Sequence, residues 1–149
     1  MKKAISLYKR AIELNNPYAM YSMAKIYLTG NEIKQKNVKK SVFLLKKSIK
    51  LNNSYSMNSL ARLYETKTEG VKTNIHKAIN LYQKAAQLDN KYAIHNLANI
   101  YRKGYNKDNV FIPVDIPKAI DLYLLAIKQD YGPSMAMLAN IYHTGPSGK

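Results

Sequence analysis

Three polar trios recur along the chain at constant spacing. Tyr18, Ser22 and Lys25 return as Tyr55, Ser59 and Arg62, and again as Tyr92, Asn96 and Asn99. Steps of four and three residues stack the members of each trio on one face of a helix. Such a face has binding chemistry. Lysine and arginine pair with carboxylates, asparagine meets backbone amides, and tyrosine offers an apolar ring with a polar tip. Side by side, the trios would make a groove for an extended peptide. The plainer alternative is a set of solvated helix faces with tyrosines packed at hairpin tips. A second candidate is apolar. Lys9-Arg10 and Lys46-Lys47 become Gln83-Lys84 and then Leu124-Leu125. A leucine pair left exposed is an oligomer or partner contact, whereas a covered pair is local packing beneath the connection that runs from Tyr105 to Val114.

Chemistry of other kinds lacks its residues. His76, His95 and His143 are the only histidines, they fall in different repeats, and there is no cysteine. That pattern predicts no metal site and no disulfide. No nucleophile–base arrangement is suggested. Glu65 and Glu69 are near each other but sit in or beside a loop, where carboxylates are usually surface charges. Gly104 and Gly145 are isolated, so no phosphate loop is present. The expectation is a non-enzymatic chain with no cofactor.

The totals set wider bounds. At 149 residues, with 46% hydrophobic residues, the chain can bury a core. It carries 24 Lys and Arg against 9 Asp and Glu, a formal charge of +15. That balance favours acidic partners, whether protein, nucleic acid or anionic membrane, although lysine also simply keeps a long surface soluble. No apolar run has the length of a membrane span. The start, Met1 to Tyr8, faintly resembles a signal peptide, but Lys9 and Arg10 interrupt it before an apolar core forms. A cytoplasmic protein is expected.

What must position the trios is a repeat. Lys3-Ala4-Ile5-Ser6-Leu7-Tyr8 matches Lys77-Ala78-Ile79-Asn80-Leu81-Tyr82 and Lys118-Ala119-Ile120-Asp121-Leu122-Tyr123, with a weaker copy at Lys40-Ser41-Val42-Phe43-Leu44-Leu45. The period is 37 residues, with four more inserted before the last copy. A second block, helix A of each repeat, covers 20–27, 57–64, 94–101 and 135–142. Both blocks have helical period. Helix A places Met20, Met23, Ala24 and Tyr27, and their counterparts through Met135, Leu138, Ala139 and Tyr142, on one stripe. The first block does the same with Ala4, Leu7, Tyr8 and Ala11. Asn37, Asn74 and Asp115 are N-caps. Asn15, Asn52, Asp89 and Asp130 suit the left-handed conformation that ends a helix. Asn16 with Pro17 starts the next helix, and Gly30, Gly104 and Gly145 stop helix A. One hairpin cannot bury its stripe but a stack can. The prediction is an all-α fold, an α/α superhelix (solenoid) of about four helix–turn–helix units, in a single domain over 1–149 with units near 2–37, 38–74, 75–115 and 116–149.

These residues resemble the Sel-1-like repeat family, a relative of the tetratricopeptide repeats. Ala93-Ile94-His95-Asn96-Leu97-Ala98-Asn99-Ile100-Tyr101-Arg102-Lys103-Gly104 is similar to the first half of that family's unit. Gly70-Val71-Lys72-Thr73-Asn74-Ile75-His76-Lys77-Ala78, continuing to Ala86, is similar to the second, and Asp115-Ile116-Pro117-Lys118-Ala119 matches its D-x-x-K-A core. The chain departs where Ala replaces the family's usual helix A glycine and where Leu7, Leu44, Leu81 and Leu122 replace a tryptophan-like position. The resemblance implies a scaffold or adaptor that assembles complexes through curved surfaces.

The leading expectation is therefore a non-catalytic scaffold that binds a protein or peptide, acidic by charge balance, through the helix A groove. The alternative is a basic helical-repeat protein that binds nucleic acid nonspecifically. It is weakened because Lys34, Lys36, Lys46, Lys47 and Lys50 fall on first-block faces and loops instead of forming a row along helix A. Ends without polar caps, around Ile5, Tyr8 and Ile12 and around Met135 and Ile141, predict weak self-association.

Overall fold

The computed structural model describes residues 2–31, 33–107 and 109–145. Eight α-helices follow one another there: α1 (Lys2–Glu13), α2 (Pro17–Thr29), α3 (Val38–Ile49), α4 (Ser54–Glu65), α5 (Ile75–Ala86), α6 (Lys91–Lys103), α7 (Ile116–Ile127) and α8 (Gly132–Thr144). Two short strands, β1 (Tyr105–Lys107) and β2 (Val110–Ile112), lie between α6 and α7. The fold is the expected all-α helical-repeat solenoid. Its backbone packing divides into two compact units, 1–81 and 82–149.

One dipeptide per hairpin makes the short turns. Asn15, Asn52 and Asp89 take φ of 57°, 57° and 53°. Asn15 N–H donates to Ile12 O and Asn16 N–H to Ala11 O, both at 2.9 Å. This is the Schellman arrangement that satisfies the last carbonyls of a helix. The same pair of bonds recurs at Asn52 and Asn53, and at Asp89 and Asn90. The second residue of each dipeptide then caps the following helix, its side chain accepting from Ala19, Ser56 or Ala93 N–H at 3.0, 2.8 and 3.1 Å. Two adjacent residues thus end one helix and begin another. At the fourth turn Asp130 keeps the left-handed φ of 53°, but Tyr131 provides no side-chain cap.

The longer connections differ in form and converge on one geometry. After α2, the Asn31 side chain accepts from Ile33 and Lys34 N–H in a local turn. After α4 there is an isolated bridge between Thr68 and Val71. After α6 the inserted residues form an antiparallel hairpin, with Tyr105 opposite Ile112 and Lys107 opposite Val110. The sequence suggested only a long loop there. Asn109, at φ 60°, supplies one left-handed residue of the kind tight hairpins require. All three connections return to the same place. Asn37, Asn74 and Asp115 N–H donate to Tyr27, Tyr64 and Tyr101 O at 2.7, 2.7 and 2.8 Å. Each of these caps also accepts the N–H of the lysine three residues on.

In the first unit the core gathers Ala24, Leu45, Leu60 and Leu63, flanked by Tyr21, Val42, Ile49 and Leu81. In the second it gathers Ala98, Ala119, Tyr123, Leu138 and Ile141. The predicted helix A stripe is buried at Met20, Met23, Ala24, Met57, Leu60, Ala61, Ile94, Leu97 and Ala98. In α8 only Leu138 of that stripe is buried, while Met135, Ala139 and Tyr142 are exposed. In α1 the stripe expected from Ala4 and Leu7 is exposed and Ile5 is buried instead. Small residues at fixed positions let helices approach. Where they are serines they also bond: Ser41 Oγ donates to Ala24 O and Ser48 Oγ to Pro17 O, each at 2.8 Å, with both serines fully buried.

Candidate functional site

In the first unit the tyrosines of two trios meet. Tyr18 is 61% exposed on α2 and Tyr55 39% exposed on α4. Their ring centroids are 6.3 Å apart, and Tyr21 joins from the other side at 5.8 Å from Tyr55. The Lys25 ammonium stands 5.7 Å from the Tyr21 ring centroid. The result is a run of three tyrosines, Tyr18 and Tyr55 exposed and Tyr21 half-buried, ending in a cation. Ser22 and Ser59 are half-buried, and Lys25 and Arg62 are exposed. Tyr21 was absent from the sequence-derived trio. It lies three residues after Tyr18 and four before Lys25, a helical spacing that could have marked it.

In the second unit the third trio divides. Tyr92, 40% exposed, sets its ring edge-on to Tyr131 with centroids 5.4 Å apart. Asn96 is half-buried. Asn99 is half-buried and enters a polar chain. Arg102 Nε donates to Tyr123 Oη at 3.3 Å, and Tyr123 O–H donates to Asn99 Oδ1 at 2.7 Å. The Asn99 amide lies 3.0 Å from His95 Nε2, and His95 Nδ1 lies 2.9 Å from Ser134 Oγ. With Asn99 Oδ1 receiving the phenol proton, its NH2 donates to His95 Nε2. The imidazole is then neutral with its proton on Nδ1, donating to Ser134. Burial holds the His95 pKa below its ordinary value, and the Arg102 charge lowers it further. Burial raises the Tyr123 phenol, partly offset by the Arg102 hydrogen bond and charge. Tyr131 also meets His95 edge-on, with centroids 5.2 Å apart. The sequence did not reveal this chain, because Tyr123 and Ser134 are remote from Asn99 and His95. The readable trace was the His95/Asn99 pair at i, i+4.

The leucine pair is exposed as the apolar candidate requires, Leu124 at 42% and Leu125 at 39%. Of the residues named near the ends, Ile5 and Ile141 are buried, Tyr8 and Ile12 half-buried, and Met135 exposed. Among the described residues no three His, Cys, Asp or Glu side chains are placed to hold a metal ion. Among the described residues no helix is long and apolar enough to cross a membrane.

Comparison with solved structures places this architecture. The chain is similar to a Sel1 repeat protein from Oxalobacter formigenes, with TM-score 0.83 and 25% identity over 95% of this chain and 55% of that one. It is similar to a protective antigen of uropathogenic Escherichia coli strains that displays an SLR fold, with TM-score 0.81 and 22% identity over 93% of this chain and 28% of that one. Cysteine-rich protein B of Helicobacter pylori gives TM-score 0.66 and 25% identity over 92% and 93% of the two chains. The chain thus spans about half the length of the Oxalobacter protein and less of the Escherichia antigen. No curated protein matches it significantly by sequence. The Sel1 repeat profile matches residues 1–16, 17–53, 54–90 and 91–131, and the chain belongs to the Sel1 repeat family.

Proposed function

We propose that this chain is a non-catalytic protein-interaction module whose partner lies on the tyrosine-bearing helix A faces. Sel1 repeats generally mediate protein–protein interactions and their proteins are typically non-catalytic scaffolds. The observation that carries the reading is the run of exposed Tyr18 and Tyr55 with half-buried Tyr21, closed by Lys25. Tyrosine and arginine are enriched at interface hot spots. The tyrosines offer large contact area at low entropy cost, since their rings are already held by one another. Lys25 and Arg62 suit an acidic segment, with Ser22 and Ser59 as hydrogen-bonding groups between them. Within the second unit, Tyr92 and Asn96 on α6 offer the same residue chemistry, while Asn99 keeps the His95–Tyr123 chain in place.

The test is affinity capture with and without nuclease, beside a Lys25→Glu/Arg62→Glu variant and a Tyr18→Ala/Tyr55→Ala variant. A captured protein that survives nuclease, rebinds after purification and is lost with both variants supports the reading. Capture that disappears with nuclease, or a partner indifferent to both variants, overturns it. The nuclease result would assign the chain to charge-driven nucleic-acid binding, which falls steeply with salt.

A further inference from the structure

A second surface lies apart from the tyrosine run. Within the first unit, α3, α4 and the start of α5 enclose an open-sided cleft of about 580 Å³. Ile49, Leu60, Tyr64 and Leu81 form its apolar floor, and Lys46, Lys50 and Lys77 stand around it. His76 and Asn80 complete the lining, which contains no carboxylate. Lys77 is braced by the Tyr64 ring, with its ammonium 5.6 Å from the centroid. Lys46 near the end of α3 and Lys50, its C-cap, are four residues apart and both line the cleft.

The repeat shows that the scaffold does not require this charge. One repeat earlier, the place of Lys50 is taken by Glu13. One repeat later, Lys46 and Lys50 are replaced by Gln83 and Gln87, and Asn80 by Asp121. The floor keeps its character, since Leu60 corresponds to Met23 and Leu97, and Tyr64 to Tyr27 and Tyr101. An all-cationic rim over an apolar floor is therefore peculiar to this hairpin.

We propose that this cleft docks an acidic peptide segment, seating apolar side chains on Ile49, Leu60 and Leu81 while flanking carboxylates meet Lys46, Lys50 and Lys77. The charge complementarity argues for several carboxylates, because the cations stand on two different helices. The open side argues for a peptide over a free alkyl carboxylate, because small-molecule sites bury about 70–90% of their ligand. Neither Lys25 nor Arg62 lines the cleft, so this site and the tyrosine run stand or fall separately.

The test uses fluorescence anisotropy with a labelled dodecapeptide of alternating glutamate and leucine pairs at physiological ionic strength. Lys46→Gln/Lys50→Gln copies the residues of the next repeat, and Ile49→Ala copies Ala86 there, so both substitutions are ones this scaffold already carries. The dodecapeptide is expected to bind saturably. Each variant should weaken it by about tenfold, with unfolding transitions as cooperative as the wild type's. Peptides with serine for leucine, or glutamine for glutamate, should each bind about tenfold more weakly. Lys103→Gln/Lys107→Gln, exposed cations outside both sites, should leave binding within about twofold. Wild-type affinity in the Lys46→Gln/Lys50→Gln variant, or equal binding of the serine peptide, overturns the proposal. Stoichiometric displacement by dodecanoate would assign the cleft to a lipid, and displacement by a single-stranded oligonucleotide to phosphate; either overturns it too.

Discussion

The Lys118 ammonium sits 4.0 Å from the centroid of the Tyr101 ring. The same contact joins Lys77 to Tyr64 and Lys40 to Tyr27, at 5.6 and 5.8 Å. In each case the tyrosine carbonyl also accepts the N–H of the Asn or Asp that caps the lysine's helix. One tyrosine near the end of helix A thus holds the next helix twice, through its backbone and its ring. Part of the chain's large positive charge is accounted for here by architecture. A double-mutant cycle of Tyr101→Leu and Lys118→Gln, followed by urea unfolding, should give a coupling energy of about 0.5–1 kcal/mol. The Lys40–Tyr27 cycle should give less, because its distance is longer. Absent coupling at both pairs would contradict the repeated contact, and equal coupling would contradict its dependence on distance.

Gly104 ends α6 at φ 66°, and a Cβ there would lie 2.9 Å from Ile112 O and 3.1 Å from the Val114 side chain. Gly70, at φ 78°, has nothing within 4 Å of the same atom. Both substitutions to alanine carry the cost of positive φ, about 1–3 kcal/mol. Gly104→Ala should cost about 1–3 kcal/mol more, because the neighbour is backbone of the β1–β2 hairpin. Chemical denaturation of the two variants checks the difference.

Ser56 Oγ donates to Ser48 Oγ at 2.8 Å, and Ser48 Oγ donates to Pro17 O. Ser48→Ala removes the group in the middle. It leaves a part-buried carbonyl and a buried hydroxyl without these partners, for a loss of about 1–3 kcal/mol. The double variant Ser48→Ala/Ser56→Ala reproduces Ala85 and Ala93 of the next repeat. Its loss should fall short of the sum of the single losses by about 0.5 kcal/mol or more. Strict additivity would show that the serines act independently.

His95 links stability to pH. Its pKa is lowered in the folded chain, first by burial and then by Arg102, so the unfolded state binds its proton more readily. Stability from this group is complete above the ordinary histidine pKa near 6.5 and is lost as pH falls through the lower folded value. Protonation also places an N–H on Nε2 against the Asn99 amide, breaking the order of donors from Arg102 to Ser134. Thermal unfolding of the wild type should weaken on acidification from neutrality, and His95→Gln should lose that component. NMR titration of the imidazole should show the neutral Nδ1–H form persisting below the ordinary range. A titration at or above the ordinary value would refute the assignment.

The sequence by itself determined the helices, their ends and the repeat, because these depend on residues within a turn or two of one another. Apolar steps of three and four, an Asn-Asn or Asp-Asn dipeptide, and an Asn or Asp three residues before a lysine each act locally. The structure bears them out at Asn15, Asn37, Asn52, Asn74, Asp89 and Asp115. Membership of the Sel1 repeat family was legible for the same reason, since four copies in phase compensate for the degeneracy of any one. Tertiary structure decided which polar residues share a site. Asn99 had the sequence position of a surface trio, yet Tyr123 and Ser134 draw it and His95 into an internal chain across 24 and 39 residues. Lys46 and Lys50 read as solvated charges until α5 brought Lys77 and Leu81 opposite them. Such groupings arise when remote helices pack, and the spacing within one helix carries no record of its neighbour's side chains.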